Sequence, residues 1–308
     1  MHISWAVVAL FIAVEHASGS SSSADVPLTA LGSSGGGGAS ADPTDFMRWS
    51  LRGQLLFLAA VGLGLKAVCW IVLHGFALLC AGRPPIAIGG AHLDALSGRD
   101  RAFIAFNRLT VPFVTLHITQ FVWHAPTVAW GGLATMTLAN TLGSLLAFFA
   151  LYDLVYVGFH RALHHPSIYG LVHKHHHQQK APSRGNEDAV NVHPFEFVSG
   201  EYLHLACMWA VPSHVAANIA FMVVGGVLAS LNHTRHDFNV GGSGDGGMGA
   251  IYSVKAHDVH HAHTFFNYGQ YTMLWDRLLG TFRPWAPPRK LGKGGGGGAA
   301  AAATKKAE

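Results

Sequence analysis

Forty-four consecutive residues, Leu109 to Tyr152, carry no charged side chain. A membrane-spanning helix needs about 20 apolar residues, so this block is long enough for two spans joined at Gly131-Gly132. Gly53 to Ala81 carries one charge, Lys66, in 29 residues, and Tyr202 to Asn232 carries none in 31, with Pro212-Ser213 near its middle. The first reads as a single span and the second as a hairpin of two short helices. Composition agrees: half the residues are apolar and 12% are charged, against about a quarter charged in soluble proteins. The expected fold class is all-α, a polytopic membrane protein of helical spans and hairpins with a helical histidine-rich cap on one side. Lys66 would cost about 2.5–3.5 kcal/mol at a bilayer centre, so it must snorkel or face the helix bundle.

Outside these blocks the chain divides into three. Residues 3–14 are apolar and sized like a signal-peptide core, without a basic leader, and residues 18–40 are Ser/Gly-rich. Residues 1–45 therefore read as an apolar segment plus linker, 46–288 as the folded domain and 289–308 as a low-complexity tail. Arg83, Arg99, Arg101 and Arg108 flank one block, and Arg161, Lys174, Lys180 and Arg184 flank the next. Placing both groups in the cytosol satisfies the positive-inside rule and puts every histidine cluster there as well. The net charge of +4, with no basic run interleaved with aromatics, excludes nucleic-acid binding. Cys69, Cys80 and Cys207 lie in apolar stretches with no C-x-x-C, which excludes a disulfide framework and a thiolate zinc site.

Any metal must therefore be held by imidazole, and 16 of the 22 histidines fall between His160 and His263. His160-x-x-x-His164 offers an i, i+4 pair on one helical face, with Asp153 and Tyr156 on the same face. Asp153 is placed to accept the outer ring N–H of a ligating histidine. His173, His176 and His177 offer i, i+3 and i+4 from one face, with His175 pointing away to solvent. His233 and His236 precede Asp237, and His257, His260 and His261 repeat the i, i+3, i+4 spacing. Histidine is neither a strong helix former nor easily buried without a partner, so two copies of H-x-x-H-H and one of H-x-x-x-H point to metal. His74, His92, His117, His124, His204 and His214 stand alone and read as ordinary packed or surface residues. Eight or more imidazoles exceed one ion's needs and imply two metals, with zinc, copper, iron and nickel all open on ligand type. A membrane metal transporter would place its ligands inside the spans, whereas these lie at span ends.

The combined motifs resemble the fatty acid hydroxylase superfamily, especially its sterol-desaturase-like members, over about residues 150–285. The resemblance rests on His160-Arg-Ala-Leu-His164-His-Pro, Tyr169, His173-Lys-x-His176-His177, Asn191-Val-His193-Pro194-Phe-Glu196 and Asn232-His233-Thr-Arg with Asp237. It continues through His257-x-x-His260-His261, Asn267-Tyr-Gly-Gln-Tyr and Leu274-Trp275-Asp276-Arg277. It implies a membrane enzyme of lipid or sterol biosynthesis that uses two iron ions and O2 to hydroxylate or desaturate a lipid. A sterol is the favoured substrate, and a fatty acyl or sphingolipid hydroxylase is the alternative. The implied ligands are His160, His164, His173, His176, His177, His233, His257, His260 and His261, with His193 as a further site residue. His236 departs from the family pattern, where an aromatic precedes the Asp, and is carried as an eleventh candidate. Asp153, Glu196 and Asp237 are the candidates for tuning the metals. Electrons would come from NAD(P)H through a reductase and cytochrome b5, since no dinucleotide or haem motif is present, and Lys174, Lys180 and Arg184 could receive that carrier. The resemblance implies the endoplasmic reticulum membrane, and Lys305-Lys306 near the end of the chain is similar to a dilysine retrieval signal.

Overall fold

The computed structural model describes residues 45–88, 92–130, 133–241 and 251–287. The apolar leader, the linker, the Gly131-Gly132 joint and the tail with its lysine pair lie outside the described residues. Among the described residues, three helices are long and apolar enough to cross a membrane: α1 (Leu51–Leu79), α2 (Gly98–His124) and α3 (Ala139–Leu163). Each corresponds to an expected span. Helix α1 starts where the Ser50 side chain accepts the Gly53 N–H at 3.2 Å. Helix α2 starts on a capping box in which Ser97 and Asp100 exchange side-chain-to-backbone hydrogen bonds. The hairpin expected over 202–232 is present as α4 (Pro194–Ala210) and α5 (Val215–Leu231), broken at Pro212. A further helix, α6 (Val254–Ala262), carries the C-terminal histidine cluster.

The core sits where α3, α4 and α5 meet, around Phe148, Tyr152, Met208, Phe221 and Tyr271. Leu63, Leu78, Leu146 and Ile219 instead face outward, each at least 60% exposed. In water such a surface would be unfavourable at about 25 cal/mol per Å²; against lipid tails it is neutral. The molecule is a polytopic helical membrane protein. Strand structure among the described residues is limited to two short pairings. Val128–Ala129 runs parallel to Ser213–His214, tying the α2–α3 connection to the α4–α5 turn at one end of the bundle. Asn239–Val240 pairs antiparallel with Tyr252–Ser253 and leads into α6. The C-terminus of α3, the N-termini of α2 and α4, the end of α5 and all of α6 gather at the opposite end, where the histidines lie.

One expected element differs. Residues 170–175 are turns and His176–Gln178 is a single 3-10 turn, so the second histidine cluster is not on a regular α-helix. The tighter 3-10 geometry rotates successive residues by about 120°, which sends neighbouring imidazoles in different directions.

Candidate metal centre

Two groups of imidazoles, all buried but the partly exposed His164, form at that end, and within each the candidate ligand nitrogens lie within 4.8 Å of one another. His160, His164, His173, His177 and His260 make the first; His176, His233, His257 and His261 make the second. The groups adjoin, with the rings of His176 and His177 5.6 Å apart and those of His260 and His261 6.1 Å apart. Each H-x-x-H-H motif is split between them, so the three histidines of one motif do not share one group. On helix α6, at about 100° per residue, positions i and i+4 differ by only about 40° in direction, while i+3 lies about 60° to the other side, so His257 and His261 go to the second group and His260 to the first. In the turns and 3-10 turn over 173–178 the division is mirrored: His173 and His177 join the first group and His176 the second.

The hydrogen bonds at the outer nitrogens fix which ring nitrogen faces inward. Nδ1 of His160 lies 2.9 Å from the Tyr268 carbonyl, that of His260 2.8 Å from Phe266 O, that of His261 2.9 Å from Gln179 O and that of His233 2.8 Å from Ala229 O. A carbonyl only accepts, so in each ring Nδ1 carries the proton and Nε2 presents a lone pair. His173 Nδ1 lies 2.8 Å from the Glu196 carboxylate, a close contact without hydrogen-bond alignment. The inward nitrogens then crowd one another: His160 Nε2 is 3.0 Å and His177 Nε2 2.9 Å from His173 Nε2. In the second group His233 Nε2 lies 3.3 Å from His176 Nε2 and 3.2 Å from His257 Nε2, itself 3.1 Å from His261 Nε2. Nε2 of His164 and His260 is buried with no hydrogen-bond partner.

Protons cannot resolve this crowding. Burial pushes His176, His177, His257, His260 and His261 well below the usual imidazole range, reinforced by neighbouring histidines, and pushes His164 down to about 3. Lone pairs facing each other at 3 Å in a dry interior repel unless a cation lies between them, so both groups fit metal ions. The donor set is all nitrogen, which suits iron as well as zinc or copper.

Several expected site residues sit elsewhere. His193 caps α4, its Nδ1 accepting the Phe195 N–H at 3.1 Å, and its ring packs on Phe103, so it joins neither group. His236 is likewise outside both groups, because the chain turns at residues 232–234 after α5 and only His233 joins a group. His175, expected in solvent, is buried and lies 3.0 Å from both Asp100 and Asn191 at the start of α2. Asp237 is held by Lys255 at 2.7 Å and touches no clustered histidine. Of the receiving cations, Arg184 is engaged by Asp188 and the Leu93 carbonyl.

Asp153 also acts otherwise than expected. Buried in α3, it accepts the backbone N–H groups of Gln270, Tyr271 and Thr272 rather than a histidine. Asp276 accepts those of Tyr268 and Gly269 at 2.8 and 2.7 Å. Asn267 adopts φ +56° and bridges to the carbonyls of Ala256 and Arg283. The Asn-Tyr-Gly-Gln-Tyr motif is thus a loop clamped between two aspartates, and it delivers the Tyr268 carbonyl to His160. Sequence reasoning missed Asp276 and the four carbonyls. Only the motif around Asp276 carried a signal, because a main-chain acceptor leaves no trace in side-chain identity.

A cavity of about 230 Å³ lies beside the centre, between Glu196 and Tyr156 on one side and Leu65, Val68 and Val111 of α1 and α2 on the other. On the other flank, an open pocket lined by Arg161, His165, Phe265 and Tyr268 reaches His164.

Fold and site together define a helical membrane protein with a double imidazole centre. Residues 145–281 match the fatty acid hydroxylase family. Over 139 residues the chain is 32% identical to a Delta(7)-sterol 5(6)-desaturase of Leptosphaeria maculans, covering 44% of this chain and 36% of that protein. Over 154 residues it is 32% identical to a lathosterol oxidase of Mus musculus and 30% identical to one of Homo sapiens, covering 49% of this chain and 48% of each relative. The match spans between about a third and a half of the length of these curated relatives. No solved structure matches the chain.

Proposed function

We propose that the chain is a membrane-bound di-iron oxidoreductase that hydroxylates or desaturates a lipid, with a sterol favoured, using O2 and electrons from NAD(P)H. The observation that carries this reading is the pair of adjoining all-imidazole groups beside an apolar cavity. Nine histidines would hold the irons: His160, His164, His173, His177 and His260 one, and His176, His233, His257 and His261 the other. Two bound ferrous ions would supply the two-electron reduction of O2 that oxidation of an unactivated C–H bond requires. The chain's own residues do the rest. The carbonyls of Tyr268, Phe266, Gln179 and Ala229 hold four of the rings in one tautomer and orientation, and the Glu196 carboxylate lies against His173. The cavity between α1, α2 and α4 admits lipid from the bilayer side and keeps water out.

The names of the relatives favour a sterol over an acyl chain. Cytochrome b5 and its reductase are the proposed electron donors, and His164, the one partly exposed ring of the first group, marks a point of approach beside Arg161 and His165. The proposed address is the endoplasmic reticulum membrane with the histidine end in the cytosol, where such a carrier works. Histidines gathered at one end of the bundle, rather than strung along the spans, favour this reading over a metal transporter. Microsomes carrying the chain, given labelled sterols and labelled fatty acids or ceramides in parallel, test it. An oxidised sterol that depends on O2 and NAD(P)H is expected. Conversion of the acyl lipids alone would shift the substrate to the alternative class, and no conversion by iron-loaded protein with a working reductase would overturn the enzyme reading.

A further inference from the structure

Helix α4 sends two carboxylates into the lipid cavity. Glu196 is taken by His173 at 2.8 Å. Glu201, five residues on, lines the same cavity yet has no hydrogen bond or ion pair to its carboxylate among the described residues, and no lysine or arginine lines that cavity. Its neighbours are already engaged: His204 lies 2.8 Å from the Tyr271 hydroxyl and 3.1 Å from the Gly200 carbonyl, and Tyr152 donates to that same carbonyl. A carboxyl group facing an apolar cavity without a partner is unfavourable, so the site is incomplete as it stands. Gly225 of α5 underlies the arrangement, because a Cβ there would come within 2.8 Å of the Tyr271 hydroxyl.

We propose that Glu201 is the polar anchor of the cavity and binds the hydroxyl group of a hydroxylated lipid. The proposal rests on the function proposed above and names the group by which that site recognises its substrate. A hydroxyl can donate to the carboxylate without bringing a second charge into a cavity walled by membrane helices, whereas an ammonium would have to shed its hydration. Glu201 lies about 7.5 Å further along α4 than Glu196, away from the histidine end. An anchored hydroxyl therefore lies deeper in the bundle than the reacting C–H, which is held several bonds nearer the histidines. The apolar body of the lipid leaves past Leu65 and Val111, where a second cavity of about 170 Å³ opens between α1 and α2.

The test is equilibrium binding of tritiated cholestanol to the purified full chain in lipid nanodiscs, without reductant, so that turnover plays no part. Cholestanol 3-O-methyl ether, cholestane and octadecylamine serve as competitors, and melting temperature and metal content show that each variant is folded. Wild-type protein is expected to bind cholestanol about tenfold tighter than the ether or cholestane, the effect of one buried hydrogen bond. Glu201→Leu should abolish that preference, and Glu201→Gln, which still accepts a hydrogen bond, should restore most of it. Equal binding of ether and alcohol by wild type, a preference that survives in Glu201→Leu, or stronger competition by octadecylamine overturns the proposal. If binding behaves as expected while no lipid is ever oxidised, the oxidase reading fails and the anchor stands.

Discussion

Glu196 offers the smallest change that reaches the metal centre without removing a ligand. Glu196→Ala leaves His173 Nδ1 without its charged neighbour, and loss of such an outer partner lowers metal affinity by about 10–100-fold; competition with a chelator of known affinity measures it. The pH dependence has a definite sign. Unfolded, the clustered histidines titrate near 6.5; folded, burial holds His176, His177, His257, His260 and His261 well below that, and His164 at about 3. Between those values the unfolded chain binds more protons, so stability is full above 6.5 and falls as pH drops toward the folded values. Metal retention falls in the same direction, because protons compete for the same lone pairs. Melting temperature and bound metal should be flat from about pH 7 to 8.5 and decline together below about 6; a decline on the alkaline side instead would contradict the neutral-imidazole assignment. Six of the nine clustered histidines stand in i, i+4 pairs (His160 and His164, His173 and His177, His257 and His261) and were legible from that spacing; His176 and His260 came with the same motifs, and His233 with the family resemblance. His175 was not, since its pairing with Asp100 spans 75 positions of sequence and no local pattern announces it.

The clamped loop over 267–276 governs the centre as a unit. Asp153→Asn replaces one of two acceptor oxygens with an amide that faces backbone N–H groups, and should cost about 1.5–3 kcal/mol, seen as a lower melting temperature. Because the loop positions Tyr268 O on His160, the first metal group should loosen while the second is retained, which metal titration of the variant resolves. Equal loss from both groups would mean that the loop does not act through His160. The spans were legible because a run of 29 residues with one charge, or of 44 with none, has few alternatives to a bilayer, and Pro212 marked the hairpin. The segment 173–178 was not, because its histidine spacing mimics a helix face while the backbone there makes turns and a single 3-10 turn. The role of Asp153 was misassigned for a related reason: its partners are backbone N–H groups more than a hundred residues away.

At the scale of the molecule, the bundle has a histidine end and an end tied by the Val128–Ser213 pairing. Single cysteines at Lys174 and at Thr137, in a chain whose three native cysteines are replaced, should label from opposite sides of sealed microsomes, Lys174 from the cytosol. Labelling of both from one side would contradict the spanning arrangement of α2 and α3. The double metal centre is the claim on which the rest depends, and metal content per chain tests it most directly. After anaerobic loading with ferrous iron and removal of loose metal, elemental analysis should give two irons per chain, falling to about one in His257→Ala, which lacks a nitrogen of the second group. A single zinc that survives chelation, with no iron retained, would contradict it.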